Sequence, residues 1–401
     1  MQRWQFQEAE IHCTGRTFQH QRMTNSTNRP VKVLRIINRF NVGGPVYNVT
    51  YLTKFLPKPY ETMLIGGCAT SSEQDATYIL ESHDIEFEKL GSMSRSVRVL
   101  SDLRTLFALI KLIKRYKPTI VHTHASKAGA LGRIAAKLMG VPVIVHTYHG
   151  HVFHGYFNPM VTKLVILFER FLGRISTKIV TISAEQQQEI VNKFKVVPME
   201  KTCIIPLGFD LKRFEESHTK REELRTDAGI LNEQCAVAIV GRLAPIKNHR
   251  LFIDAAALVL REYPNEFIFF VVGDGELKNR LNSEIVEISG WKSRDDALEL
   301  VNNFDVFIST SLWEGLPFNI IEAMAMSKPI ISSNIKGNRV TISQNKNGFL
   351  CNNLEEFIAG IKKLEDKEIR DSFGRKSKNM VDELFDINKN FIQLINLYKS
   401  K

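Results

Sequence analysis

The sequence predicts an α/β protein made of two doubly wound domains, and three observations carry that expectation. From Val31 onward, short apolar runs alternate with amphipathic stretches of helical length, the pattern of parallel sheets covered by helices. The alternation is interrupted once, by residues 204–210 and a highly charged stretch at 212–225, and resumes at Cys235. At 401 residues the chain is long enough for two domains of ordinary size, each with its own core.

The elements follow in order. Residues 33–37 read as the first strand, 41–45 as a turn through Gly43, Gly44 and Pro45, and a helix follows from about Val46. Further strand-like runs lie at 62–65, 119–122, 143–147 and 178–182. A linker is expected at 212–225. The second series runs 235–240, 267–272, 306–309 and 329–332. From about Asp366 the chain reads as helical and polar, with apolar spacing through Phe391, Ile395 and Leu397, and is expected to pack on the domains rather than form a third.

Composition sets the class. A hydrophobic fraction of 44% and a charged fraction of 24% are those of a soluble globular protein. No apolar run approaches the roughly 20 residues of a membrane span. Residues 1–28 are polar and lack a signal-peptide pattern, so they read as a disordered leader, with Met23 a credible alternative start. Cys13, Cys68, Cys203, Cys235 and Cys351 are scattered without metal or redox spacing, which fits a reducing, cytosolic setting.

The net charge of +11 is partly local. Arg95, Arg98, Arg104, Lys111, Lys114, Arg115 and Lys117 crowd residues 92–118 against Asp102 alone, while Leu103, Leu106, Phe107, Ile110 and Ile113 recur at helical spacing. One reading is a core-packed amphipathic helix with a solvated basic face. The other is a surface, 95–117, that sits against anionic lipid, where each cation contributes about 1 kcal/mol. Nucleic acid is not expected, because no binding module or aromatic-interleaved basic run accompanies the charge.

Two doubly wound domains leave a cleft at the carboxyl ends of their strands, and the residues suited to chemistry follow strands. Glu314 and Glu322 bracket a run that leaves the strand at 305–309 and opens a helix, with Pro317 where a first turn tolerates proline. Glu314 then lies in a loop and Glu322 one to two turns into the helix. Both reach a ligand lying across a helix end whose free N–H groups and dipole favour phosphate. After the strand at 235–240, Gly241 allows a tight exit and the same loop delivers Arg242 and Lys247. A guanidinium binds phosphate oxygens bidentately, and an ammonium adds a compact charge. Residues 273–275 are weaker evidence, since glycine often only ends a strand. Gly43 and Gly44 suit a loop that a ligand approaches closely, though the segment is neither a P-loop nor a dinucleotide fingerprint.

His122, His124, His146, His149, His151 and His154 are six of the chain's 11 histidines. Zinc is the tempting reading, but no matching cysteine or carboxylate set has ligand spacing, so most are expected to be structural hydrogen-bonders. His149, at a strand exit, faces the cleft and is the candidate for contact with the reacting group. No Asp-x-Asp pair occurs anywhere, so charge on a diphosphate must be met by Arg242, Lys247 and helix dipoles, without a divalent metal.

Gly241-Arg-Leu-x-x-x-Lys247, residues 272–275, 289–291, the Glu314-x7-Glu322 pair and residues 334–339 together resemble the retaining glycosyltransferases of family 4, over nearly everything from Val31. Residues 121–129 and 147–150 are similar to members that build bacterial surface polysaccharides. The resemblance implies the GT-B fold: residues 31–208 as an acceptor-side domain, 209–380 as the nucleotide-sugar domain, and 381–401 as a helix returning to the first. It implies that Arg242 and Lys247 hold the donor diphosphate, Glu314 the sugar hydroxyls and Glu322 the ribose. Gly241, Gly315 and the backbone at Leu316, Phe318 and Asn319 would complete the cradle. Gly290 and Trp291 would flank the base, and Gly43 and Gly44 would close over the phosphates. The interval from Gly273 to Gly290 is shorter than is usual in the family, which trims the base side. The resemblance further implies a nucleotide-sugar donor, UDP-linked, a polyprenyl-diphosphate-linked or other glycan acceptor (Tyr156, Phe157 and Leu164 add apolar character nearby), and work at the cytoplasmic face of the membrane. The competing readings are a nucleotide-sugar epimerase on the same scaffold and a non-catalytic nucleotide-sugar-binding scaffold. A nicotinamide dehydrogenase is disfavoured by the missing fingerprint.

Overall fold

A computed structural model describes residues 30–400 except 71–72, 95–96, 151–152, 154–157, 212–213, 215–224, 227–228, 282–284 and 291. The leader, Cys13, Arg95, His151, His154, Tyr156, Phe157, Trp291 and most of the expected linker therefore lie outside the described residues.

Two all-parallel sheets dominate. The first holds β1 (Val31–Arg39), β2 (Tyr60–Gly67), β3 (Phe87–Lys89), β4 (Ile120–His124), β5 (Val143–Tyr148), β6 (Lys178–Thr181) and β7 (Thr202–Ile204), in the order β3-β2-β1-β4-β5-β6-β7. The second holds β8 (Cys235–Val240), β9 (Phe267–Val272), β10 (Glu287–Ile288), β11 (Val306–Ser309), β12 (Ile330–Ser333) and β13 (Gly348–Cys351), in the order β10-β9-β8-β11-β12-β13. Both orders reverse beside the first strand of their series, which is the doubly wound pattern. β3, β7, β10 and β13 were not anticipated from the sequence. All four are sheet edges; β3, β7 and β10 span two or three residues, too short to stand out as apolar runs, while β13 is as long as the four-residue β11.

Helices cover both faces. On one face of the first sheet lie α3 (Val99–Tyr116), α4 (Ser126–Leu138) and α5 (Pro159–Ile175), with α4 touching both neighbours. Leu109, Leu112 and Ile113 of α3 meet Leu34, Ile36 and Val121 in the core there. The stripe expected to be core is only partly so. Leu103 and Phe107 are exposed, while Thr105, Leu109, Leu112 and Ile113 are buried, because this helix is apolar enough to offer more than one stripe. The opposite face is covered by α1 (Gly44–Lys54) together with the last helix, α13 (Ile387–Lys399). The short α2 (Thr77–Glu81) and α6 (Ala184–Gln188) complete this half.

In the second half, α7 (His249–Glu262) and α11 (Leu354–Lys363) pack on one sheet face, and α10 (Phe318–Ala325) and α12 (Lys367–Leu384) on the other. The short α8 (Lys278–Leu281) lies between β9 and β10 in the chain, and α9 (Arg294–Asn303) packs on β8 and beside α10. The chain then recrosses to the first sheet. Phe391, Leu394, Leu397 and Tyr398 of α13 bury against Val33, Ile120 and Val143, with Ile395 only half-buried. Tyr398 also donates its hydroxyl to His122 Nδ1 at 2.6 Å.

The two crossings meet. Phe209 N donates to Phe385 O at 2.7 Å, Ile387 N donates to Phe209 O at 3.2 Å, and Asn390 Nδ2 donates to Pro206 O at 3.0 Å. A Cβ on Gly208 would lie 2.7 Å from Ile387 Cα, so only glycine lets these segments approach so closely. Since α13 supplies core to the first sheet, Phe391→Ala should lower stability by about 3–5 kcal/mol, read as a shifted urea midpoint. An unchanged midpoint would show that α13 is not integral to this core.

Candidate active site

The cleft wall of the second half is built from two strand exits tied together. After β8 the chain runs through Gly241 and Arg242 into one 3₁₀ turn, Pro245–Lys247. After β11 it runs through Thr310 to Pro317 before α10 begins. Thr310 Oγ1 donates to Lys247 O at 2.9 Å, and Leu312 N donates to Ile246 O at 2.8 Å. The result is an ion pair, Lys247 Nζ to Glu314 Oε1 at 2.6 Å, with side chains 24% and 14% exposed. Ser311 Oγ donates to the same carboxylate oxygen at 2.8 Å. Arg242 is exposed on the same loop, and no described residue pairs with it.

Proline sits one position earlier than expected. Pro317 is the N-cap of α10 and Phe318 its first residue, because φ −80° with ψ 98° at Pro317 is still extended. Asn319 Nδ2 donates to Val240 O at 2.8 Å, which fastens the start of α10 to the end of β8. Glu322 lies farther along α10, half-buried. A Cβ on Gly337 would fall 2.4 Å from Glu314 O, so the 334–339 segment supports the Glu314 backbone directly. Ser311, Asn319's side chain and Gly337 thus position Glu314 and its helix. Of these contacts the sequence signalled only the 334–339 segment as a whole.

Gly273 and Gly275 brace this wall. Their added Cβ atoms would meet Gly241 O at 2.1 Å and Leu243 O at 2.6 Å. Gly290, with φ 73°, bridges back to Gly273.

The other wall reaches across. Phe318 packs on Tyr47 and Phe209, with ring centroids 5.8 Å and 4.7 Å away, and a Cβ on Gly44 would be 2.8 Å from its ring. Gly43 and Gly44 therefore lie at the start of α10. A Cβ on Gly315 would be 3.2 Å from His149 O, and Lys336 pairs with Glu189, so the walls touch at several points.

Behind His149 lies a stack of imidazoles. His122 and His124 rings are 4.4 Å apart, and His124 and His149 rings 5.2 Å. Arg35 Nη1 lies 3.1 Å from His122 Nδ1. A guanidinium can only donate, so Nδ1 accepts and the ring proton sits on Nε2, which donates to Thr147 Oγ1 at 2.7 Å. His124 Nδ1 and His149 Nε2 are 3.0 Å apart and share one proton between them. Their outer nitrogens, His124 Nε2 and His149 Nδ1, are buried without a partner among the described residues. In neutral rings one of these carries a proton and the other a lone pair. His124 is thus part of the site, although the sequence marked only His149. His146 is held by Thr123 Oγ1 at 2.9 Å, away from this pair. Burial pushes His149 down to about 4 and holds His122, His124 and His146 well below the ordinary imidazole value. Among the described residues, no three His, Cys, Asp or Glu side chains gather to hold a metal ion.

The arrangement offers two cations, a helix start and a carboxylate to a ligand on one wall, and neutral imidazole on the other. Comparison with known proteins identifies the family. The family description "Glycosyltransferase Family 4" matches residues 42–213, and "Glycosyl transferases group 1" matches residues 220–380. The UDP-Gal:alpha-D-GlcNAc-diphosphoundecaprenol alpha-1,3-galactosyltransferase of Escherichia coli is 33% identical over 320 residues, covering 77% of this chain and 82% of that protein. The chain belongs to glycosyltransferase family 4. The capsular polysaccharide biosynthesis glycosyltransferase CapM of Staphylococcus aureus is 26% identical over 76% of this chain and 83% of its own. Among solved structures, a glycosyltransferase of Rickettsia africae superposes with TM-score 0.76 at 22% identity, covering 93% of this chain and 98% of that one. Anabaena HepE in complex with UDP superposes with TM-score 0.75 at 19% identity, over 92% and 100%. The fold of this family 4 enzyme is GT-B, as its two parallel sheets and these superpositions agree.

The depressed imidazoles give a pH expectation. Each is neutral when folded and takes a proton near the ordinary value of about 6.5 when unfolded. Their stabilisation is therefore full above about pH 6.5 and is lost as pH falls below it, in the case of His149 down to about 4. In that window each group steepens the loss by about 1.4 kcal/mol per pH unit. Denaturant titrations from pH 7.5 to 4.5 should show this slope, and it should be shallower in His149→Asn. An equal slope in that variant would contradict the burial of His149.

Proposed function

We propose that the chain is a retaining glycosyltransferase that moves a sugar from a UDP-linked donor to a polyprenyl-diphosphate-linked glycan of a bacterial surface polysaccharide. The observation that carries this reading is the convergence of Lys247, Glu314, Ser311 and the start of α10 opposite His149. The Escherichia coli relative, which is named for a UDP-galactose donor and a diphosphoundecaprenol-linked acceptor, supports the choice of both substrates.

In this reading residues 31–208 carry the acceptor, 209–380 the donor, and 381–401 return to the first half. Arg242 and Lys247 take the donor diphosphate, together with the N–H groups at the start of α10, where Gly315, Leu316, Phe318 and Asn319 lie. Gly43 and Gly44 close over the phosphates from the other wall. Glu314 receives the sugar hydroxyls once Lys247 turns to phosphate, and Glu322 receives the ribose. Gly241 gives the loop room, and Gly290 and Trp291 flank the base. His149 Nδ1, with no partner among the described residues, meets the reacting sugar. The bond from the anomeric carbon to the diphosphate oxygen breaks, and the acceptor oxygen bonds to that carbon on the same face. The acceptor's proton passes to the departing phosphate oxygen. Arg242, Lys247 and the helix start stabilise the charge that appears there, which leaves no step needing a divalent metal.

No helix among the described residues is long and apolar enough to cross a membrane. A polyprenyl-anchored acceptor nevertheless implies work at the cytoplasmic membrane face, where the basic stretch 95–117 would meet anionic lipid.

Purified protein incubated with a panel of UDP-sugars and a short-alkyl GlcNAc-diphosphate acceptor should yield one glycosylated product. Lys247→Ala and Arg242→Ala should each cut the rate by about 10²–10³ with the thermal midpoint unchanged. Free epimerised UDP-sugar without a glycosylated product would favour the epimerase reading, and near-normal turnover in both variants would remove the assigned roles.

A further inference from the structure

We propose that the outward faces of α3 and α5 form one surface that inserts into the head-group layer of an anionic bilayer, with its apolar end beside the cleft and a basic end behind. The inference rests on the transferase reading only in that a lipid-anchored acceptor makes a bilayer contact useful.

On α3 the exposed arc carries Val99, Leu100, Leu103 and Phe107 in its first turns, then Lys111 and Lys114 farther along, where each residue turns about 100°. Val99 is 72% exposed and Phe107 67%. On α5 the exposed ridge is Met160, Leu164, Leu167 and Phe171, with Phe168 beside it, and Leu164 and Leu167 are each 62% exposed. Soluble proteins rarely leave such contiguous apolar area open without a partner. Both helices follow strands of a parallel sheet and run back along it, so both begin at the strand ends that border the cleft. They flank α4 on the same sheet face.

The charges select the occupant. Exposed Arg98, Arg104, Lys111, Lys114, Lys163 and Arg174 surround the apolar area. The acids of the two helices are already engaged: Asp102 pairs with Lys127, and Glu169 is buried against Arg133 and Tyr148. One neighbouring acid, Glu88, pairs with Arg115 at 3.3 Å, and among the described residues no ion pair engages the other cations. A two-fold dimer through this face would set cations against cations. An anionic surface complements the whole of it, each cation near the surface favouring binding about fivefold. Apolar side chains at the interface add a part that salt does not screen.

The test uses the full chain with sedimented vesicles of phosphatidylglycerol and phosphatidylethanolamine, beside vesicles of phosphatidylcholine. The wild type should bind the anionic vesicles preferentially and keep part of that binding in high salt. Leu164→Glu with Phe171→Glu should lower the affinity about tenfold or more at any salt. Lys111→Glu with Lys114→Glu should lower it about tenfold or more at low salt only. Serine in place of glutamate at 164 and 171 gives the same reading should the charged pair unfold. Binding by the ridge variants equal to wild type overturns the proposal. So does a wild-type dimer that the ridge variants make monomeric while vesicle binding persists, since that assigns the face to a second copy. Transfer to the short-alkyl acceptor should stay at the wild-type rate in the Lys111→Glu, Lys114→Glu variant. If the wild type itself transfers nothing, the transferase reading fails while the vesicle data still decide the surface.

Discussion

Everything about the cleft depends on how the chain passes between its two sheets. It does so at Gly208–Phe209 and again at Phe385–Ile387, and the two passages are hydrogen-bonded to one another. A pair of independent linkers would let the halves swing in any direction. A paired crossing, with Gly208 pressed on Ile387 and Phe209 packed on Phe318, ties the halves together along one seam. The Gly43–Gly44 turn can therefore face the start of α10, and His149 the Glu314 loop, as lasting neighbours.

Within the cleft the same economy recurs on a smaller scale. Lys247 and Glu314 are both partly withdrawn from water, a position that costs each of them hydration, and each supplies the other's missing partner. In the proposed donor complex, phosphate and sugar hydroxyl groups would replace that pairing instead of meeting bare charges. Ser311 holds the carboxylate, and the close approach of Gly337 holds its backbone. On the facing wall, burial keeps the imidazoles neutral, so His124 and His149 act as dipoles with one donor and one acceptor rather than as cations repelling Arg242 and Lys247.

Much of this was legible in the chain. Interior strands such as β8, β9 and β11 are covered on both faces, so they read as unbroken apolar runs and were bounded correctly. The edge strands β3, β7 and β10 borrow their regularity from a neighbour and carry no such run. Lys247 and Glu314 were legible because strand exits are where cleft residues fall. Their support was not, since Ser311 acts through a local side-chain bond and Gly337 through the absence of a side chain. His124 was hidden for another reason: its role depends on two strands lying in register, β4 beside β5, and a single sequence does not display register. On α3 the apolar residues outnumber what one sheet can cover, so periodicity alone could not say which of them would face outward.

The docking of α13 has a consequence for how the molecule is made. Val33, Ile120 and Val143 are synthesised early, yet the helix that covers them, with Tyr398 reaching His122, comes from the far end of this sequence. The first sheet must wait, one face incompletely shielded, while the second half is translated and folds. The half that starts first is thus finished last, and its exposed face is a natural client for a chaperone during that interval.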